Sequence, residues 1–157
     1  MRLPGPVWFL VREDLTRLQK HEAILQTDAT RALSAVPLPI VAVVDDDPAV
    51  CSSLKFSLEL EGFSVRLYSG AAEFLAAGAA DADCLVIDQR MPAMSGMELI
   101  AKLRAQNIST PAVLIVSQPN AAVAARAAKA GVPIVEKPFL GNSLLDKIRK
   151  ACELKAE

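Results

Sequence analysis

The chain has 157 residues, of which 52% are hydrophobic and 22% are charged, so it has room for one domain with a real core. A net charge of −1 argues against a dedicated nucleic-acid binder, which normally carries a basic face. The longest apolar run near the start, residues 7–11, is too short to span a bilayer, and no small-residue cleavage site follows it. We therefore expect a cytoplasmic protein without a membrane segment or a signal peptide.

Residues 1–37 differ from the rest of the chain and are predicted to form an extension and a linker. From about residue 12 to residue 35 there is no Gly or Pro, and leucines and alanines recur at helical spacing between charges. This pattern predicts one amphipathic helix, which Pro37 and Pro39 end. Its apolar stripe favours a docking or dimerising face. A disordered tail or a misplaced start codon are the alternatives.

Residues 38–157 alternate between strand and helix patterns. Unbroken apolar runs, which are typical of strands buried on both faces, end at Val44, Ile87 and Val116. The predicted strands are 40–44, 64–68, 84–87, 112–116 and 132–135, and the predicted helices are 48–61, 71–77, a helix capped by Ser95 and Glu98, 121–130 and 142–154. Strict alternation predicts an α/β fold, a doubly wound parallel sheet of five strands with helices on both faces.

The three cysteines, Cys51, Cys84 and Cys152, are odd in number and lie far apart. Each stands in an apolar stretch of the sequence. This pattern favours buried free thiols in a reducing cytosol over a disulfide or a metal site.

Polar residues follow four of the predicted strands at the point where each strand ends. They are the run Asp45, Asp46 and Asp47, then Asp88, Ser117 and Lys137. Because parallel strands deliver their carboxyl ends to one edge of the sheet, we expect these side chains to share a crevice. Three carboxylates in one crevice would raise one another's pKa, and one ammonium would offset them only in part. A divalent cation that prefers oxygen ligands closes this gap, so the crevice is predicted to hold a metal ion and a phosphate beside a carboxylate nucleophile.

Four segments of the sequence resemble the receiver domain of bacterial response regulators, above all those of the nitrogen-fixation and nodulation type. They are VVDDDP at 43–48, IDQRMPAMSG at 87–96, VS at 116–117 and VEKPF at 135–139. The resemblance covers about residues 40–154. It implies the flavodoxin-like strand order 2-1-3-4-5 and a protein that is no enzyme but accepts a phosphoryl group from a histidine kinase or a histidine phosphotransfer protein.

The resemblance also implies a role for each matching residue. Asp88 would be the phosphoacceptor and a ligand of Mg²⁺ or Mn²⁺. Asp46 would bind the metal directly, Asp45 mainly through water, and Arg90 through its backbone carbonyl. Ser117 and Lys137 would each contact a phosphoryl oxygen and move to meet it, which would operate a conformational switch. Pro138 would follow a cis peptide.

Two positions depart from the family pattern and motivate an alternative. Ile134 stands where the family usually has the aromatic ring that turns inward on activation, and Gln118 stands where a small residue usually leaves access to the phosphoryl group. The alternative is a degenerate receiver that acts as a phosphate-independent interaction module. Because no helix-turn-helix or basic segment follows residue 154, a single-domain regulator that acts through a partner is expected.

Two further alternatives rest on short motifs. The spacing of Asp45 and Asp47 also suits an aspartate-nucleophile phosphatase, although the triple aspartate produces that spacing by itself. His21 precedes Glu22 as in the phosphoacceptor helix of histidine kinases, but the residues after it lack the rest of that motif. A surface histidine is the favoured interpretation.

Overall fold

The computed structural model describes residues 36–78, 81–118 and 120–156. Strands and helices alternate along this part of the chain: β1 (Ile40–Val44), α1 (Pro48–Leu60), β2 (Ser64–Tyr68), α2 (Ala71–Ala77), β3 (Cys84–Asp88), α3 (Gly96–Ala105), β4 (Ala112–Val116), α4 (Ala121–Lys129), β5 (Ile134–Glu136) and α5 (Ser143–Ala156). The predicted helix at 12–35 and His21 lie outside the described residues. Both stay predictions, as does the domain boundary after residue 37.

The strands form one parallel sheet in the order β2-β1-β3-β4-β5. This confirms the predicted doubly wound fold and its strand order. The chain runs from β1 to β2 on one side and then crosses to β3 on the other, so the order reverses between β1 and β3. In sheets of this kind a crevice opens at that reversal, beyond the carboxyl ends of the strands.

The sheet separates two apolar clusters, one on each face. The first cluster lies under α2, α3 and α4 and contains Ala42, Val44, Leu85, Ile87 and Leu114 from the strands. The second cluster lies under α1 and α5 and contains Val41, Val43, Cys84, Val86 and Ile115. Alternate residues of each central strand therefore face opposite helices. This is why these strands appear in the sequence as continuous apolar runs.

Side-chain caps fix where the helices nearest the carboxyl edge of the sheet begin. The Asp47 carboxylate accepts from Ala49 N–H at 2.9 Å, and Pro48 is the first residue of α1. The predicted capping box is present at α3, where Ser95 Oγ accepts from Glu98 N–H at 3.3 Å and Glu98 Oε2 accepts from Ser95 N–H at 2.8 Å. Such caps each contribute about 1 kcal/mol and hold the loops that precede them.

The last strand begins later than the sequence predicted. The N–H of Val132 donates to the Ala127 carbonyl at the end of α4, at 2.8 Å, and therefore does not pair with a neighbouring strand. Pro133 has no N–H and only accepts, from Leu114 at 2.9 Å. Pairing therefore starts at Ile134, opposite Leu114, and β5 ends directly before Lys137.

None of the helices in the described ranges is both long enough and apolar enough to cross a bilayer.

Candidate functional site

Two buried carboxylates lie side by side at the carboxyl edge of the sheet. Asp88 is the last residue of β3, and Asp45 directly follows β1, whose Val44 pairs with Ile87. Asp45 is 2% exposed and Asp88 is 4% exposed, whereas the neighbouring Asp46 is exposed. One carboxylate oxygen from each of the three lies within 4.8 Å of the others. The structure therefore brings together the three acids that the sequence placed at strand ends.

Lys137 joins the two buried carboxylates. Its Nζ lies 3.0 Å from Asp45 Oδ2 and 3.1 Å from Asp88 Oδ1. Its backbone N–H donates to the Val116 carbonyl at 2.8 Å, and the peptide bond to Pro138 is cis, as the resemblance implied. Asp45 Oδ1 accepts from the N–H of Asp47 at 2.9 Å. Hydrogen bonds to backbone and to side-chain groups therefore fix the positions of both Asp45 and Lys137.

Burial is the main cause of the unusual electrostatics of this pocket. It raises the pKa of Asp88, Lys137 opposes that change, and the nearby Asp45 charge adds to it. Burial alone would lower the pKa of Lys137, but its hydrogen bonds to Asp45 and Asp88 outweigh burial and raise it. The predicted repulsion between the acids contributes to the raised pKa of Asp88, and removal from water is the larger cause.

The donor set suits a divalent cation. Three carboxylates supply hard oxygen ligands, and a single ammonium leaves an excess of negative charge among them. Mg²⁺ binds in proteins through one or two carboxylates together with water and phosphate, so Asp45, Asp46 and Asp88 could hold such an ion.

An open cleft of about 330 Å³ lies beside the carboxylates. It is lined by Gln89, Arg90, Met91, Ser95, Val116, Ser117, Gln118, Asn120 and Val123. Ser117 is exposed there, two residues beyond Ile115, which pairs with Asp88. Arg90 Nη2 donates to Gln118 Oε1 at 3.4 Å, so these two side chains meet within the lining. The metal-ligating role of the Arg90 carbonyl stays a prediction.

Gly96 is a residue of the site that sequence reasoning missed. A Cβ at this position would lie 2.6 Å from the Asp88 carbonyl oxygen and 2.7 Å from Leu114 Cδ1. Its N–H donates to the Gln89 carbonyl at 3.0 Å, and Gln89 Oε1 accepts from Met97 N–H, also at 3.0 Å. The start of α3 can therefore pack directly on the end of β3. A glycine placed as the first residue after a helix-capping serine was the signal that could have found it.

Two residues behind the alternative hypotheses have definite positions. Asp47 is exposed and its side chain caps α1. Asp47 is therefore not among the three clustered acids, which weakens the phosphatase hypothesis. Ile134 is half-buried and packs against the first cluster, as does Val123 of α4.

Comparison with known proteins agrees with this architecture. The family model of the response regulator receiver domain matches residues 41–149. The transcriptional regulatory protein FixJ of Rhizobium meliloti is 39% identical over 115 residues, which cover 72% of this chain and 56% of FixJ. The C4-dicarboxylate transport transcriptional regulatory protein DctD of Pseudomonas aeruginosa is 34% identical over 117 residues, 73% of this chain and 25% of DctD.

Two solved structures show the same fold. The crystal structure of FixJ-N superposes with a TM-score of 0.68 at 37% identity and covers 75% of this chain and 96% of that one. A CheY-like receiver domain from Methanospirillum hungatei superposes with a TM-score of 0.70 at 26% identity, over 76% and 98% of the two chains. The chain spans about half the length of FixJ, at 56%. From the family model and these relatives, the chain belongs to the response regulator receiver domains of two-component systems, in the subgroup of FixJ.

Proposed function

We propose that Asp88 accepts a phosphoryl group from a phosphohistidine of a histidine kinase or a histidine phosphotransfer protein. The observation that carries this proposal is the buried Asp45–Lys137–Asp88 arrangement, with Nζ 3.0 and 3.1 Å from the two carboxylates and Asp46 beside them. An Asp88 oxygen attacks phosphorus, the P–N bond breaks, and the imidazole leaves. Such transfer depends on positioning and on charge neutralisation more than on covalent chemistry from the protein.

The residues around Asp88 suit the product of that reaction. A phosphoryl group brings about −1.5 to −2 charge and three acceptor oxygens. Lys137 already lies 3.1 Å from Asp88, so its ammonium can pair with one of those oxygens. Ser117 lines the adjacent cleft and offers a hydroxyl donor to another. The movement of these two side chains toward the phosphoryl group would operate the conformational switch.

Mg²⁺ or Mn²⁺ would be held by Asp45, Asp46, Asp88 and the Arg90 carbonyl. Bound there, the ion neutralises charge on the phosphoryl oxygens. The protein's own part is to keep Asp45 and Asp88 buried at adjacent, parallel strand ends, so that their oxygens converge on one point.

The phosphoacceptor is tested with a small phosphodonor and Mg²⁺, followed by intact mass. We expect the wild type to gain about 80 Da and Asp88→Asn to gain nothing. Asp47→Asn is the matched control, because it makes the same chemical change at a nearby aspartate outside the cluster. Asparagine caps helices as well as aspartate does, so this variant should keep the cap of α1. Equal labelling of Asp88→Asn and the wild type would refute the assignment.

The metal ligands are tested by the rise in melting temperature that Mg²⁺ produces, since an ion that binds only the folded state stabilises it. Asp46→Asn should weaken Mg²⁺ binding by about tenfold or more, whereas Asp47→Asn should leave it unchanged. A Mg²⁺ response that is the same in both variants would exclude Asp46 as a ligand.

A phosphate-independent interaction module is the second candidate, and one contact favours it. Gln118 reaches Arg90 at 3.4 Å within the lining of the cleft, and Ile134 offers no aromatic ring for the usual inward turn. Beryllofluoride, a phosphoryl mimic, separates the two functions. Amide shifts spread over α4, β5 and α5 would support the phosphorylation switch, and an unchanged spectrum would support the degenerate receiver.

A further inference from the structure

A second pair of reactive groups lies at the opposite end of β3, away from the carboxylates. Cys84 is the first residue of β3 and is fully buried, and Cys152 lies on α5 and is partly exposed. Both belong to the packing of the second cluster, where α5 covers this face of the sheet. The two cysteines are separated in the sequence by most of the domain, and the fold packs both side chains into the same apolar cluster.

An independent contact holds the same two segments together. Lys155, three residues after Cys152 on α5, lies 3.5 Å from Asp83 Oδ1 and also donates to the Ala82 carbonyl. Asp83 directly precedes Cys84, and its other oxygen accepts from Ile40 N–H at 2.8 Å. These contacts hold the segment directly before Cys84 against the helix that carries Cys152.

The two thiols are chemically unequal. Cys84 is fully buried and its Sγ donates to the Leu85 carbonyl at 3.7 Å, whereas Cys152 is partly exposed. Because burial disfavours a thiolate, Cys152 is the thiol that more readily forms one, and it is also the one that a peroxide can reach. Cys51 provides a contrast, because it is buried, donates to the Asp45 carbonyl at 3.2 Å, and has a pKa raised by burial.

We propose that Cys84 and Cys152 form a reversible intramolecular disulfide when the protein meets a hydroperoxide. The Cys152 thiolate attacks the peroxide, the O–O bond breaks, and an alkoxide or hydroxide leaves while Cys152 becomes a sulfenic acid. The Cys84 sulfur then attacks the Cys152 sulfur, the S–O bond breaks, and water leaves with the thiol proton. Two electrons from a dithiol reductant restore both thiols. A thiolate beside a resolving cysteine is the arrangement found in redox sensors.

This modification is independent of the proposed phosphoryl transfer. A disulfide between β3 and α5 would join covalently two elements that meet through packing and the Lys155 contacts. It would close a loop that contains Asp88, β4 and β5. In a reducing cytosol such bonds are transient and serve as signals rather than as structural staples.

The test uses the reduced full chain and a limited amount of hydroperoxide. We expect the intact mass to fall by about 2 Da and to recover with dithiothreitol. Trypsin places the three cysteines in separate peptides, 32–55, 67–90 and 151–155, so a non-reducing digest identifies the pair directly. Linked peptides 67–90 and 151–155 would support the proposal. Covalent dimers, or sulfinic acid at Cys152 with Cys84 still open to alkylation in denaturant, would overturn it.

Three variants separate the two steps. Cys152→Ser lies at a partly exposed helical position and should reduce the linked species by about tenfold or more, whereas Cys51→Ser should not change it. Cys84→Ala should accumulate a sulfenic acid at Cys152 that dimedone traps. If Cys84→Ala fails to fold, the comparison of Cys152→Ser with Cys51→Ser decides the matter. Cross-linking that survives Cys152→Ser would contradict the proposal.

Discussion

The two ends of β3 carry the same kind of contact in two different environments. At the carboxyl end Lys137 lies 3.0 and 3.1 Å from two carboxylates that are almost completely buried. At the amino end Lys155 lies 3.5 Å from Asp83, and the two side chains are 34% and 35% exposed. One acid meets one ammonium there, whereas at the other end three clustered acids face one ammonium.

This difference shows how burial changes what an acid–ammonium contact does. The Lys155–Asp83 pair has no net charge and is partly hydrated, so it contributes little to the free energy of unfolding. The carboxyl-terminal cluster keeps excess negative charge away from water, which would favour the binding of a cation. Charge number and burial, rather than residue type, distinguish the proposed metal site from a structural contact.

The largest effect on stability is expected when the lysine at each end of β3 is replaced in turn. Lys137→Met leaves two buried carboxylates without their partner and should lower the free energy of unfolding by about 3 kcal/mol. Lys155→Met removes a half-exposed pair and should cost about 1 kcal/mol or less. Urea unfolding of both variants measures this, and Mg²⁺ should restore part of the loss only in Lys137→Met. Equal losses of stability in the two variants would show that burial does not make the two contacts different.

The close approach of α3 to the end of β3 gives the next largest effect. Gly96→Ala would place Cβ 2.6 Å from the Asp88 carbonyl oxygen and should destabilise the fold by about 2 kcal/mol. Gly70→Ala is the control, because Gly70 has an extended φ of 172° and no atom within 4 Å of the position that its Cβ would occupy. It should change stability by no more than about 0.5 kcal/mol. A neutral Gly96→Ala would show that the strand end can shift, and with it Asp88.

Neutralising one acid at each end should give small effects of opposite sign. In the absence of Mg²⁺, Asp88→Asn should raise the free energy of unfolding, because burial disfavours the carboxylate. Asp83→Asn should lower it by about 0.5 kcal/mol, because the contact with Lys155 is weakened. Chemical unfolding measures both.

The pH dependence of the Asp88 effect has a definite sign. Burial raises the folded-state pKa of Asp88, so the folded protein holds this proton more tightly than the unfolded chain does. The contribution of Asp88 to stability is present below its unfolded pKa and is lost as pH rises through the folded value. The advantage of Asp88→Asn over the wild type should therefore be absent in acid and grow toward neutral pH. An advantage that shrinks as pH rises would contradict the burial argument.

The amino-acid sequence by itself determined the order of strands and helices and the convergence of Asp45, Asp46 and Asp88. Continuous apolar runs must be strands buried on both faces, and parallel strands must end at one edge, so polar residues that follow them meet there. The β5 boundary was misplaced because the hydrogen bond of Val132 to the end of α4 is a contact between elements, which no local pattern records.

Only the tertiary structure decided which groups actually touch. Lys137 bridges Asp45 and Asp88, the start of α3 packs on the end of β3 at Gly96, and Cys84 and Cys152 share one apolar cluster. Each of these arrangements joins residues that are far apart in the chain. Local pattern specifies which face of an element is apolar, but ångström-scale distances follow from how helices settle on the twisted sheet. The proposed chemistry of the two thiols, which depends on such distances, therefore became visible only in the folded chain.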